Sequence, residues 1–226
     1  SAGGVYVNRS ARWDGTQWHA TDLRWVNGGY YAMHIHNGDL FVGGTFGLDG
    51  LPPSQGVLKW SGSQLDAVAG APSFDVFSLG SYQGKLIAGG FFFTEPGQSQ
   101  PGEWIAQWDG NSWGPLGSGM NSSVRALTTF DPDGPGPMPE LLIAGGWFSM
   151  AGGVPASRIA AWDGSQWMPM GTGVNGSVQS LCVYQNQLYV GGLFTLAGGQ
   201  PSPYLARWGC PQPPCYAKCD GSTRTP

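Results

Sequence analysis

The sequence predicts an all-β fold, and three observations support this prediction. Glycine and proline together make up about a quarter of the 226 residues, with 39 Gly and 18 Pro, as is usual where tight turns join many short strands. The 11 Trp, 10 Phe and 8 Tyr supply aromatic surface that disordered chains lack. The third observation is an internal repeat, which is the most informative of the three because a fixed period determines the whole architecture.

Two sequence anchors mark the repeat and stay in register. The first is Trp-Asp-Gly or a variant of it, which begins at Trp13, Trp60, Trp108, Trp162 and, in a faded last copy, Trp208. The second is a Gly pair with a Phe two residues later, at 43–46, 89–92, 145–148 and 191–194. Successive Trp residues are 46 to 54 positions apart, which fits one four-stranded blade of a β-propeller. Residues 1–209 are therefore predicted to form four or five blades, either as a closed ring or as an incomplete one.

Each repeat is predicted to contain four short strands. In the last copy, residues 178–184 form an apolar strand, and a two-residue turn leads into a second strand at 188–194. The corresponding turn in the first copy reads Asn37-Gly38, a strong hairpin signal. The Gly pair ending each second strand predicts a close approach of neighbouring inner strands. A longer loop follows, the third strand ends at the Trp, and Asp-Gly turns the chain into the fourth strand.

The segment Leu188-Tyr189-Val190-Gly191-Gly192, with a Trp at the end of the next strand, resembles the kelch repeat over residues 1–209. The Trp-Asp-Gly-x-x-Trp variant is similar to repeats of large secreted bacterial propeller proteins and of fungal cell-surface polarity markers. The resemblance implies a propeller in a secreted or cell-surface protein. It leaves function open, because kelch-type propellers serve as enzymes, scaffolds and adaptors.

Residues 210–226 break the period and form a Cys- and Pro-rich tail. The tail resembles the start of a dockerin-like C-terminal module, whose calcium loop needs oxygen ligands at several fixed positions. Lys218 occupies the first of these positions, so we expect no complete calcium site here. A disulfide of Cys210 with Cys215 or Cys219 is predicted, with zinc binding as the alternative.

Charge and motif content exclude several functions. The net charge of −4, with only 10 Lys and Arg, is unfavourable for nucleic-acid binding. No apolar run approaches the roughly 18 residues of a membrane span, and no nucleotide or cofactor motif is present.

His34 and His36 share one strand face, as strand-borne metal ligands do, yet His36 aligns with Tyr82 and Phe130 of later copies. We therefore predict that it packs in the core, and we expect neither a metal nor a cofactor.

The long loops are predicted to form the ligand-binding face. Aromatic and amide groups from several repeats would surround a central depression there, which suits a sugar or a peptide. The predicted binding residues are Trp25, Asn27, Tyr31, Asp75, Asn121, Arg125, Asn175 and Gln179. A competing interpretation is that Asn27, Asn121 and Asn175 only stabilise turns.

Catalysis is not expected. Asp14, Asp109 and Asp163 recur in the Trp-Asp-Gly turn and are predicted to cap backbone N–H groups. The acids outside the repeat pattern are Asp22, Asp75, Glu95 and Glu103. None has a His or Lys partner at a spacing that would indicate a catalytic pair. The sequence thus predicts a non-catalytic extracellular binding or scaffold propeller, with a protein or glycan ligand on the long-loop face. A lectin-like glycan binder is the first alternative, and a polysaccharide-active enzyme using the loop acids is the second.

Overall fold

The computed structural model of the chain describes residues 1–4, 6, 10–20, 26–48, 55–62, 65–93 and 104–209. These residues form strands and turns, so the all-β prediction is confirmed. They contain no helix with the length and apolar character that crossing a membrane requires. The tail at 210–226, with Cys210, Cys215, Cys219 and the predicted disulfide, lies outside the described residues.

Four antiparallel sheets follow one another along the chain, and within each sheet the strands pair in sequence order. A hairpin precedes them: β1 (Ala11–Trp13) and β2 (Trp18–Ala20). Sheet 1 contains β3 (Val26–His36), β4 (Asp39–Leu48), β5 (Gln55–Trp60) and β6 (Leu65–Ala67). Sheet 2 contains β7 (Ser73–Tyr82), β8 (Lys85–Phe93), β9 (Ile105–Trp108) and β10 (Trp113–Pro115).

The last two sheets each enclose a small extra hairpin between their second and third strands. Sheet 3 contains β11 (Val124–Phe130) and β12 (Leu141–Gly146), then the hairpin β13 (Met150–Ala151) and β14 (Val154–Pro155), then β15 (Ile159–Trp162) and β16 (Trp167–Pro169). Sheet 4 contains β17 (Ser177–Tyr184) and β18 (Gln187–Leu193), then the hairpin β19 (Leu196–Ala197) and β20 (Gln200–Pro201), then β21 (Leu205–Trp208).

The turns form as the sequence predicts. Asn37 begins the turn between β3 and β4 with a φ of 50°, and Gly38 follows with a φ of 84°, the conformation that favours Asn-Gly in hairpins. In the Trp-Asp-Gly turn of sheet 2, Asp109 Oδ1 accepts hydrogen bonds from the backbone N–H groups of Asn111 at 2.9 Å and Ser112 at 2.8 Å. The capping role predicted for these aspartates is confirmed.

The fourth strands are shorter than expected. Strands of five to seven residues are typical, whereas β6, β10 and β16 each have three. These strands form the edges of their sheets. A short edge strand exposes few unpaired backbone groups and so limits edge-to-edge aggregation.

Consecutive sheets pack against each other through the Gly pairs. An added Cβ on Gly43 would lie 2.8 Å from Val76 Cγ1 of sheet 2, and one on Gly89 would lie 2.6 Å from Val124 Cγ1 of sheet 3. Gly145 makes the same approach to Val178 of sheet 4. The first glycine of each pair therefore permits the contact between neighbouring sheets, as the sequence predicts.

Three hydrophobic clusters fill the spaces between successive sheets. Phe41 and Val76 belong to the cluster between sheets 1 and 2, Ile87 and Leu142 to the next, and Ile143 to the last. Sheet 4 packs against sheet 3, but no further sheet follows it among the described residues. Its Tyr184 is 60% exposed, although the equivalent Tyr82 and Phe130 are 4% and 2% exposed.

Candidate functional site

Each of the four sheets carries a β-bulge at the same place in its first strand. The register with the second strand shifts between Tyr30 and Ala32 in sheet 1, and at the equivalent step in the other sheets. A bulge leaves one extra residue outside the ladder and re-aims its side chain. The extra residues are Tyr31, Phe77, Arg125 and Gln179, which we call the bulge row.

The first three side chains of the bulge row are in contact across sheet boundaries. The ring centroids of Tyr31 and Phe77 are 5.4 Å apart, and the Cζ atom of Arg125 lies 3.9 Å from the centroid of Phe77. The same Cζ atom is 5.8 Å from the ring centroid of Trp147. Arg125 therefore makes cation–π contacts with two aromatic rings, Phe77 of sheet 2 and Trp147, which directly follows β12 of its own sheet.

Arg125 has no anionic partner in the described part of the chain. The salt bridges found there join Lys59 to Asp39 and His19 to Asp14. The Nε atom of Arg125 is buried and has no hydrogen-bond partner among the described residues. A guanidinium without a carboxylate partner retains its capacity to bind one from a ligand.

Two further sets of equivalent residues lie near the bulge row, and we call the surface that they form together with it the rim. The residue after each Gly pair is Thr45, Phe91, Trp147 or Leu193, and the last three are exposed. In sheets 2 to 4, the backbone N–H of the second glycine of each pair donates a hydrogen bond to a carbonyl just before the third strand. The carbonyls belong to Trp104, Arg158 and Tyr204. These three have φ values of 72°, 68° and 67°, an uncommon conformation for non-glycine residues that often marks functional sites.

A cleft opens between sheets 3 and 4 beside these residues. Its volume is about 260 Å³, and it is lined by Trp147, Arg158, Gly176, Ser177 and Leu193. The guanidinium Nη1 of Arg158 donates a hydrogen bond to the backbone carbonyl of Trp147, which holds the arginine at the cleft. The cleft thus combines an aromatic ring, a cation and a hydroxyl in one concave place, as ligand sites commonly do.

Two of the predicted binding residues are occupied by turn stabilisation. Asn121 Oδ1 accepts hydrogen bonds from the backbone N–H groups of Ser149 and Met150, both at 2.9 Å, and its Nδ2 donates to Ser149 Oγ at 3.0 Å. Asn175 makes the same three bonds to the loop after β18. Their repetition in two sheets favours the structural interpretation of these asparagines.

Replacing Asn121 by alanine is expected to lower the free energy of unfolding by about 1–2 kcal/mol, because two backbone donors lose their acceptor. Urea unfolding monitored by tryptophan fluorescence measures the change. Asn111→Ala is the matched control, since that exposed side chain accepts and donates no hydrogen bond within the described residues; we expect a change within about 0.5 kcal/mol. Equal effects of the two substitutions would contradict the structural role.

The remaining predicted residues divide into three groups. Tyr31 and Arg125 come together through Phe77 in the bulge row, and Gln179 occupies the same position in sheet 4, where its Nε2 donates to Ser177 Oγ at 3.0 Å. Asp75 accepts a hydrogen bond from the Thr45 hydroxyl. Trp25 lies outside the described residues, as does the side chain of Asn27.

The histidines and the turn aspartates have structural surroundings. His34 and His36 both hydrogen-bond to the Ser81 hydroxyl at 2.8 Å, and burial lowers the pKa of each ring. No cluster of metal-binding side chains occurs in the part of the chain that the structure describes. Hydrogen bonds from the backbone of Ser112 and Asn111 lower the pKa of Asp109, so this carboxyl stays ionised as a turn cap.

Sequence reasoning missed Phe77, Trp147 and Arg158. Their signal was present in the repeat, since Phe77 aligns with Tyr31, and Trp147 follows a Gly pair as Phe91 does. Only the structure brings them together, through the contacts of Phe77 and Trp147 with Arg125 and the hydrogen bond from Arg158 to the Trp147 carbonyl.

No family model matches the chain, and no curated protein sequence matches it. Two computationally designed proteins of solved structure resemble it at low identity. Ika8 is 15% identical with a TM-score of 0.47, over 83% of this chain and 48% of that protein. Ika4 is 16% identical with a TM-score of 0.45, over 83% of this chain and 94% of that protein. The chain spans about half the length of Ika8.

Proposed function

We propose that this chain is a non-catalytic binding module of a secreted or cell-surface protein, and that it binds its ligand on the rim formed by the bulge row and the neighbouring cleft. One observation carries the proposal: Arg125 is held between Phe77 and Trp147 without an anionic partner among the described residues. An exposed aromatic ring beside an uncompensated guanidinium is a typical recognition surface.

We further propose that the four sheets are blades of a kelch-like propeller. Support comes from their sequential packing through equivalent glycines, Gly43, Gly89 and Gly145, and from the hydrophobic clusters between consecutive sheets. In this arrangement the rim is one end of the blades, where side chains from successive repeats converge on one surface.

A glycan ligand is favoured over a protein ligand by the repetition of aromatic side chains on the rim. Phe91 and Trp104 make an edge-to-face pair in sheet 2, with centroids 4.7 Å apart, and Trp147 stands at the position of Phe91 in sheet 3. Aromatic faces at equivalent positions suit a ligand that is itself a repeating polymer with C–H-rich ring faces. The enzyme alternative has no comparable support: Asp75 is bonded to Thr45, and Asp22, Glu95 and Glu103 lie outside the described residues.

A glycan array containing neutral and acidic polysaccharides tests the proposal with the full chain. We expect retention on at least one glycan, and we expect Trp147→Ala to weaken it by about tenfold or more, since exposed aromatic anchors dominate such contacts. Tyr184→Ala is the control, because Tyr184 is 60% exposed, against 50% for Trp147, but lies at the end of its strand beside the β17–β18 turn. Absence of binding to every glycan, or equal losses in the two variants, would refute glycan binding at this rim.

A further inference from the structure

Two arginines stand beside the same exposed indole at the cleft between sheets 3 and 4. The Cζ atom of Arg125 is 5.8 Å from the centroid of the Trp147 ring, and Arg158 Nη1 is bonded to the Trp147 backbone carbonyl. Trp147 itself is 50% exposed and forms one wall of the cleft. The cleft therefore presents an aromatic ring and the guanidinium of Arg158, and the guanidinium of Arg125 lies close to the same ring.

Neither positive charge is compensated within the described residues. No ion pair there involves Arg125 or Arg158, and none of the residues lining the cleft is a carboxylate. The chain has only 10 Lys and Arg in total and a net charge of −4, so an unpaired arginine in the cleft and a second one beside its indole are a local departure from the overall charge. A planar guanidinium matches the geometry of a carboxylate, to which it can donate two parallel hydrogen bonds.

Ser177 and Arg158 both have hydrogen-bond donors free for a ligand in the cleft. Ser177 Oγ accepts a hydrogen bond from Gln179 Nε2 at 3.0 Å, which leaves the hydroxyl hydrogen of Ser177 able to donate to a ligand. Arg158 uses Nη1 for the Trp147 carbonyl, and a guanidinium has five N–H donors, so others remain for a bound anion. The bond to the carbonyl fixes the side chain in advance, which reduces the entropy lost on binding.

We propose that this cleft binds a carboxylate-bearing sugar, such as a uronic acid unit of an acidic polysaccharide; this inference rests on the proposed function. The carboxylate pairs with Arg158, the C–H face of the sugar ring packs on the indole of Trp147, and Ser177 donates to a ring hydroxyl. A uronic acid unit combines an apolar ring face, hydroxyls and a carboxylate within one ring, which matches a cleft of about 260 Å³. An acidic peptide has the carboxylate but lacks the rigid ring face.

Calorimetric titration of the full chain with a uronic acid oligosaccharide and with its methyl ester tests the inference. The ester is the same oligosaccharide without the negative charges. We expect the acidic form to bind at least tenfold more tightly, and we expect Arg158→Gln to weaken its binding about tenfold to hundredfold while changing ester binding little. Binding of the acidic form should also weaken as salt rises. Arg207→Gln removes one positive charge outside the cleft and should leave both affinities unchanged.

Three results would overturn the inference. The ester could bind as tightly as the acid, the Arg207→Gln control could lose as much affinity as Arg158→Gln, or poly-glutamate could bind as tightly as the acidic oligosaccharide with the same arginine dependence. If neutral glycans bind through Trp147 without a preference for the acid, only the ligand class proposed here fails. If no glycan binds, glycan binding at the rim fails with it. Thermal unfolding of each variant verifies that it is folded.

Discussion

Replacing Gly146 by alanine is expected to lower the free energy of unfolding by about 3 kcal/mol. A Cβ at this position would collide with the carbonyl oxygen of Ser123 and would lie 3.0 Å from the Cα atom of Val124. Both obstacles are backbone atoms of β11 or of the residue just before it, so relief requires the first two strands of sheet 3, β11 and β12, to separate. Overpacking of this kind typically costs about 1–3 kcal/mol, and backbone obstacles place it at the upper end.

Gly114→Ala is the matched control for this substitution. Gly114 also lies in a strand, β10, but an added Cβ would meet no atom within 4 Å, so we expect its stability to change by no more than about 0.5 kcal/mol. Urea denaturation of both variants, monitored by circular dichroism, measures the difference. Similar stabilities of the two variants would show that the close approach at Gly146 does not limit stability.

The glycine pairs show how far the sequence predicts this fold. Their recurrence predicts a close approach between neighbouring sheets, and Gly43, Gly89 and Gly145 confirm it. The second glycine serves a different purpose that the pattern alone does not reveal: Gly146 approaches the partner strand within its own sheet. Pattern reasoning identifies a position where a side chain is excluded, but it cannot say which neighbour excludes it, because that depends on the packing of whole strands.

The candidate site was predictable only in part, for a related reason. Tyr31 and Arg125 were predicted because the sequence places them on the long-loop face, yet their contact with each other runs through Phe77. A bulge sets the direction of all three, and bulges arise from strand pairing rather than from any single residue type. Asn121 has an amide of the kind found in binding sites, but its oxygen accepts hydrogen bonds from the neighbouring loop.

The burial of a side chain in the last sheet likewise depends on whether another sheet packs against it. Tyr82, Phe130 and Tyr184 occupy the same position in three repeats, and the first two are core residues while Tyr184 is exposed. The repeat predicts one environment for all three. The difference arises because sheets 2 and 3 are each covered by the next sheet, whereas that face of sheet 4 is uncovered among the described residues.

Replacing Phe148 by alanine is expected to cost about 3–5 kcal/mol of stability, the usual range for a fully buried phenylalanine. Phe148 is 0% exposed, as are the equivalent Phe46 and Phe92, and it belongs to the same hydrophobic cluster as Trp167. The loss combines the transfer of the ring with the cavity that remains, since a closely packed interior relaxes only partly. For a chain of 226 residues, this should lower Tm by roughly 10 °C.

The residue before Phe148 provides the sharpest control, because Trp147 is larger but is 50% exposed. Trp147→Ala should cost no more than about 1 kcal/mol, yet it should remove most of the ligand affinity of the rim. Scanning calorimetry and glycan binding measured on both variants separate the two roles. A large loss of stability in Trp147→Ala, or a stable Phe148→Ala, would contradict the division of this repeat position into a core residue and a recognition residue. One Gly-Gly-x-Phe segment thus supports both the packing of the sheets, through the buried Phe148, and the binding rim, through the exposed Trp147.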